Sequence, residues 1–199
     1  MTFIVLEGGE GSGKSTQARA LADALRAEGR DVVVTFEPGD TPAGVRIREI
    51  LLHADAPIDS HAELLLMLAD RAQHVAQVVA PALARGAIVV CDRFSPSSLA
   101  YQGIARKLGV GVVESLDAFA RNGCSPDLVV VLDVPDDVAE SRVAVERDRF
   151  ERAGEEFHAR VRAAYRELAG ERGWVLVDGT GPVDDVAARV RAAAASFLS

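Results

Sequence analysis

Residues 8–15 read Gly8-Gly9-Glu10-Gly11-Ser12-Gly13-Lys14-Ser15, four glycines in eight positions, directly after the apolar run Phe3-Ile4-Val5-Leu6. The spaced pattern Gly8-x-x-x-x-Gly13-Lys14-Ser15 lies between a strand-like run and a segment of helical period. In that segment Ala18, Leu21, Ala22 and Leu25 recur at i, i+3, i+4 and i+7 and the helix stops near Gly29. In that context the stretch reads as a phosphate-binding loop. Its glycines let successive N–H groups face phosphate oxygens, and the helix N-terminus adds partial positive charge. Lys14 neutralises the outer phosphates, and the Ser15 hydroxyl is placed to ligate magnesium. Thr16 follows in the first turn of the helix.

Outward from this loop, short apolar runs alternate with helical segments, the pattern of βα units around a parallel sheet covered on both faces. Strands are expected over residues 2–6, 31–35, 87–91, 127–132 and 173–177. Leu64, Leu68, Ala72, Val75 and Val79 mark one long helix. Val183, Val186, Ala187, Val190 and Phe197 mark the last, which Pro182 opens. The reading is therefore an α/β, three-layer P-loop NTPase fold. With 199 residues it is expected to be a single domain over residues 1–199. The least apolar stretch, about residues 146–154, is expected to be a mobile lid.

Composition narrows the function classes. At 49% hydrophobic and 26% charged residues the chain carries enough core formers to exclude disorder. No segment approaches the length of a membrane span and the N-terminus lacks signal-peptide features, so a cytoplasmic location is expected. A net charge of −8 opposes broad contact with nucleic acid while leaving room for a local basic pocket. Cys91 and Cys124 fit neither a disulfide framework nor metal-ligand spacing and read as reduced packing residues.

A nucleotide site needs an acid beside its metal. The run Ala87-Ile88-Val89-Val90-Cys91-Asp92 ends a buried strand with a carboxylate where ligand crevices of such sheets lie. Asp92 is thus the candidate magnesium-side acid, with an acidic loop cap as the alternative. A switch GTPase is disfavoured because its Asn-Lys-x-Asp guanine reader is missing; the single asparagine is Asn122, followed by Gly123.

Four blocks then carry a family resemblance. They are Glu7-Gly8-Gly9-Glu10-Gly11-Ser12-Gly13-Lys14-Ser15-Thr16; Glu37-Pro38-Gly39-Asp40-Thr41; Asp70-Arg71-Ala72-Gln73-His74; and residues 92–103, which read DRFSPSSLAYQG. In type, order and spacing the chain resembles bacterial thymidylate kinases over nearly its whole length, and Asp148-Arg149-Phe150-Glu151 resembles their lid. The resemblance implies the nucleoside monophosphate kinase fold, with a five-stranded parallel sheet wrapped by helices, and a homodimer. It also implies transfer of the γ-phosphoryl of Mg·ATP to dTMP.

The site residues follow from it. Gly8, Gly9, Glu10, Gly11, Ser12, Gly13, Lys14, Ser15 and Thr16 would hold ATP, with Mg2+ at Ser15 and Asp92. Arg48 and Arg93 would meet the dTMP phosphate, with Glu37 close by. Arg71 would donate to the thymine O4 edge. Met67 would stand at the stacking position, and Ser97, Tyr101 and Gln102 would shape the sugar and base pocket. Lys14, Arg93, Asp92 and Arg149 are the expected catalytic group, Arg149 being favoured over Arg147 and Arg152 as the lid cation. The four histidines are assigned nothing. Each assignment has a plainer rival: Arg48 as a solvated helix residue, Tyr101 as core, the lid arginines as an exposed, charge-alternating helix. Phe36, Asp40 and Ile104-Ala105-Arg106-Lys107 depart from the family pattern. A kinase for another nucleoside monophosphate such as dUMP, or a silent nucleotide-binding module, are the alternatives.

Overall fold

The computed structural model describes residues 2–54, 56–142, 149–150 and 153–198. Five strands, β1 (Thr2–Glu7), β2 (Val32–Phe36), β3 (Ile88–Asp92), β4 (Leu128–Asp133) and β5 (Val175–Asp178), form one parallel sheet in the order β2-β3-β1-β4-β5. Each lies within two residues of the run expected from sequence, because continuous apolar runs in a doubly covered sheet leave little choice of element.

Helices α1 (Lys14–Ala27) and α9 (Val183–Ala194) cover one face, where Ile4, Leu6, Val90 and Val130 meet Leu21, Leu25, Val186 and Val190. The alternate side chains Phe3, Val5, Val89 and Cys91 face the other side, against Val75, Val79 and Phe94. That face is also covered by α2 (Pro42–His53), α3 (Ser60–His74), α6 (Val110–Arg121) and α8 (Glu155–Arg172), whose core includes Leu64, Leu68, Val161, Tyr165 and Leu168. α3 runs through a π-helical segment, Val75–Val79, into α4 (Ala80–Ala84). α5 (Ser95–Ser98) likewise passes into a π-helical segment, Leu99–Ala105, which carries Tyr101 and Gln102. Such wide turns inside helices recur at functional sites. α7 (Asp136–Arg142) follows β4.

The register sets the site. Asp92 stands beside Leu6 on one side and Phe36 on the other. The carboxyl ends of β1, β2 and β3 therefore bring the glycine loop, the Glu37-Pro38 turn and Asp92-Arg93 to one edge, the usual ligand edge of such sheets. Among the described residues no helix is long and apolar enough to cross a membrane. Cys91 and Cys124 are free thiols. Of the expected lid, residues 146–148 and 151–152, including Arg147 and Arg152, lie outside the described residues.

Candidate functional site

The glycine loop folds over its own lysine. Lys14 Nζ donates to Gly9 O at 2.7 Å and to Ser12 Oγ at 3.3 Å. Two of the glycines are demanded by the protein itself. A Cβ on Gly8 would stand 2.5 Å from Leu132 O, and one on Gly11 2.2 Å from Ala139 O, both at positive φ. Neither distance is tolerable for carbon against a backbone carbonyl, so β4 and α7 press the loop into shape from behind. Burial lowers the Lys14 pKa, as does Arg93, against the opposing pull of Glu10, Asp92 and Glu7.

Ser15 Oγ donates to Asp92 Oδ2, while Asp92 Oδ1 is buried with no hydrogen-bond partner among the described residues. An orphaned carboxylate oxygen beside a serine hydroxyl, at the mouth of a phosphate loop, is a donor set of the hard-oxygen type that suits Mg2+. The residues present therefore fit the group expected from sequence.

Arg93 is the hub. Its backbone lies in the left-handed region at φ 71°, a conformation that costs a non-glycine residue about 1–3 kcal/mol and is typically retained at functional sites. Its Nη1 donates to Gly8 O, Ser97 Oγ and Tyr165 OH at 3.1–3.3 Å. Its Nη2 donates to Glu10 Oε1 at 2.7 Å and Tyr101 OH at 3.2 Å. Burial alone would raise the Glu10 carboxyl, but Arg93 and then Lys14 outweigh it and hold it at about 2. Behind the arginine, Glu7 accepts from the N–H groups of Phe94 and Ser97 and from the hydroxyls of Ser97 and Tyr165. Burial raises the Glu7 carboxyl despite Arg93.

On the acceptor side Arg71 is buried by commitments to the protein. Nε donates to Glu37 Oε2 at 2.9 Å, and Nη1 to Asp117 Oδ1 at 2.6 Å and Ser98 Oγ at 3.0 Å. The other Glu37 oxygen meets His74 Nδ1 at 2.8 Å, and His74 Nε2 meets Thr35 Oγ1 at 2.6 Å. Both Glu37 oxygens are thus used within the protein. Glu37 clamps Arg71 and His74 while still lining the cleft in which the phosphate is expected. Arg48 donates Nη1 to Pro38 O at 2.6 Å and lies over the Phe36 ring, so the Phe36 departure supplies a cation–π seat for it.

A cleft of about 570 Å³ joins the two halves. Glu10, Lys14, Ser15, Asp92, Arg93, Glu37, Arg48, Met67, Arg71, Ser97, Tyr101 and Gln102 all line it. Arg149 does not. Its N–H and Nε donate to the carbonyls of Leu52 and Leu51, at 3.2 and 2.7 Å, and Nη2 pairs with buried Glu63 at 2.8 Å. The physical reason is local: the last turn of α2 leaves carbonyls without helical partners, and a guanidinium beside a buried carboxylate satisfies them. In this structure the residue expected over the ATP phosphates therefore caps a helix on the acceptor side.

Sequence reasoning missed Glu7, Glu63, His74, Asp117 and Tyr165 as parts of the site. Met67, Arg71 and His74, spaced i, i+4 and i+7, share a face of α3, on which His74 is wholly buried. Tyr165 had one usable signal, its place with Phe157, Val161 and Leu168 on the buried stripe of α8.

Comparison with known proteins identifies the family. The family model for thymidylate kinase matches residues 6–190. A thymidylate kinase of Leifsonia xyli subsp. xyli (strain CTCB07) is 50% identical over 193 residues, covering 95% of this chain and 92% of the relative. One of Clavibacter michiganensis subsp. michiganensis (strain NCPPB 382) is 47% identical, covering 99% and 96%. One of Pseudomonas entomophila (strain L48) is 48% identical, covering 91% and 89%. With a family model that spans residues 6–190 and relatives of this closeness, the chain belongs to the thymidylate kinase family.

Proposed function

We propose that this chain transfers the γ-phosphoryl of ATP to the 5′-phosphate of dTMP, giving dTDP and ADP. One observation carries the reading: Lys14 with the Ser15–Asp92 pair, and Met67 with Arg48, Arg71 and Tyr101, line the same cleft, with Arg93 between them. Lys14 and the loop amides bind the ATP phosphates. Ser15 and Asp92 would hold Mg2+, which when bound neutralises phosphate charge. The acceptor phosphate is already ionised near neutral pH, so no nucleophilic Cys or His is required and the rate rests on positioning and charge.

Arg93 supplies a permanent, forked cation whose position is fixed by Gly8 O, Glu10 and Tyr101. Arg48 faces the acceptor phosphate, and Arg71, held by Glu37 and Asp117, presents the edge of its guanidinium to the base. Tyr101 is fixed at its hydroxyl by Arg93 and Glu10 and packs edge-on against Phe150 and Phe157, a rigid wall for the deoxyribose. Arg149 enters this account only through its contacts with Glu63 and α2.

We extend the proposal to a single catalytic domain acting in the cytoplasm as a homodimer. Val112, Leu116 and Phe119 recur at helical spacing on α6, and Phe119 is 89% exposed. Leu65 is exposed on α3, which packs against α6. An apolar stripe of this kind suits a second copy of the chain; a monomer at micromolar concentration in analytical ultracentrifugation would contradict that part. The activity itself is tested by phosphorus NMR of purified protein with ATP, Mg2+ and dTMP. The β-phosphate signal of dTDP is expected to grow as the γ-phosphate of ATP declines, and consumption of ATP without dTDP would refute the reading.

A further inference from the structure

Glu63 stands in the first turn of α3, wholly inaccessible to solvent. Its Oε1 accepts from Gln102 Nε2 at 2.8 Å and from Arg106 Nε at 3.4 Å. Its Oε2 accepts from Arg106 Nη2 at 3.2 Å and pairs with Arg149 Nη2 at 2.8 Å. A carboxylate flanked by two guanidiniums accepts hydrogen bonds and has none to donate. The Gln102 side-chain amide has two different edges, and only its NH2 edge satisfies this neighbour. The carbonyl edge, Oε1, is thereby turned the other way, where it accepts from no described residue, and Gln102 lines the cleft beside Arg71 and Met67.

We propose that Glu63 is a specificity-determining positioning residue, which locks the Gln102 amide with its acceptor toward the base pocket and so selects pyrimidines that carry a hydrogen at N3. The proposal rests on the reading of the cleft as a dTMP site. Thymine and uracil present N3–H as a donor. Cytosine presents a bare N3 as an acceptor, so acceptor would face acceptor and both would stay unpaired in a buried setting. Without the lock the amide turns over and presents its NH2 to cytosine at no cost. Arg106, which stands where the family's usual turn is richer in glycine, helps hold the carboxylate in place and is itself seated over the Phe157 ring.

The test is a comparison of kcat/KM for dTMP, dUMP and dCMP in the unaltered protein, in Glu63→Gln and in Gln102→Met, with the KM for ATP measured alongside. Glu63→Gln supplies a neighbour that can donate as well as accept. The expected result is a fall of about tenfold in the dTMP-over-dCMP ratio in both variants, with the dTMP-over-dUMP ratio and the ATP KM unchanged. A purely structural role would lower all three acceptors together. Equal losses on dTMP and dCMP would therefore overturn the proposal and leave the thymidylate reading standing. Absence of dTMP-dependent turnover in the unaltered protein would bring down both. Should Glu63→Gln fail to fold, Glu63→Asp, which draws the carboxylate back from the Gln102 amide, takes its place, and an unchanged dTMP-over-dCMP ratio there also overturns the proposal.

Discussion

Replacing Asp70 with asparagine should stabilise the protein at alkaline pH and lose that advantage, becoming the less stable form, at acid pH. Asp70 is wholly buried at the base of the cleft, its Oδ1 accepting from the Gly39 N–H at 3.0 Å and its Oδ2 without a partner among the described residues. Burial, and next the negative charge of Glu37, push its carboxyl from 3.8 up to about 6. The sign follows from linkage. An acid whose folded pKa is raised carries no penalty below its unfolded value, and a growing one as pH rises through the window from about 4 to 6. Two pH units correspond to a gross cost of about 3 kcal/mol above that window. Asparagine keeps the bond from Gly39 and removes the charge, but leaves its own NH2 in place of the orphaned oxygen, which offsets part of the gain. A net stabilisation of about 1–2 kcal/mol at pH 8, or roughly 3–6 °C in melting temperature, is expected, turning into a net loss of about 1–2 kcal/mol by about pH 4, where the charge penalty is gone and the unpaired NH2 remains. Thermal melts of both proteins at pH 4, 6 and 8 measure it. An offset that is equal at all three values, or a less stable variant at pH 8, would refute the reasoning.

Other outcomes follow from the same contacts. Arg93→Ala removes five donor contacts around the phosphate loop and should lower kcat by about 10²-fold or more, measured by ADP release at saturating substrates. Gly11→Ala forces a Cβ to 2.2 Å from Ala139 O at a positive φ and should cost at least about 2 kcal/mol in urea melts against the parent. Glu10, held at about 2 by Arg93 and Lys14 against its burial, contributes stability that is complete above about pH 4.5 and is lost as pH falls toward 2. Glu10→Gln should therefore be less stable than the parent at pH 7, by up to about 3 kcal/mol, and the gap in urea melts should close on acidification.

The phosphate loop, the five strands and Asp92 were legible because each is a local pattern: glycine spacing, an apolar run, an acid at a strand end. Legibility ended where function depends on pairs far apart in the chain. Glu7 reads as the residue before a glycine loop, yet its four hydrogen bonds come from α8, from α5 and from the turn after β3. His74 reads as one more residue on an apolar face, and only the fold brings it to Thr35 and Glu37. The family resemblance around Arg149 points to the ATP side, whereas burial of Glu63, invisible in the local sequence, draws the guanidinium the other way. Sequence placed the right residue types around the cleft. It could not say which of them face substrate and which hold one another.

The account's central claim is acceptor-dependent phosphoryl transfer, and the most direct measurement is ADP formation from Mg·ATP with dTMP, dUMP, dCMP, AMP or no acceptor, run side by side. The account predicts the highest kcat/KM with dTMP, and turnover abolished in a folded Lys14→Ala variant. ADP release that does not depend on any acceptor, or a clear preference for an acceptor other than dTMP, would contradict it.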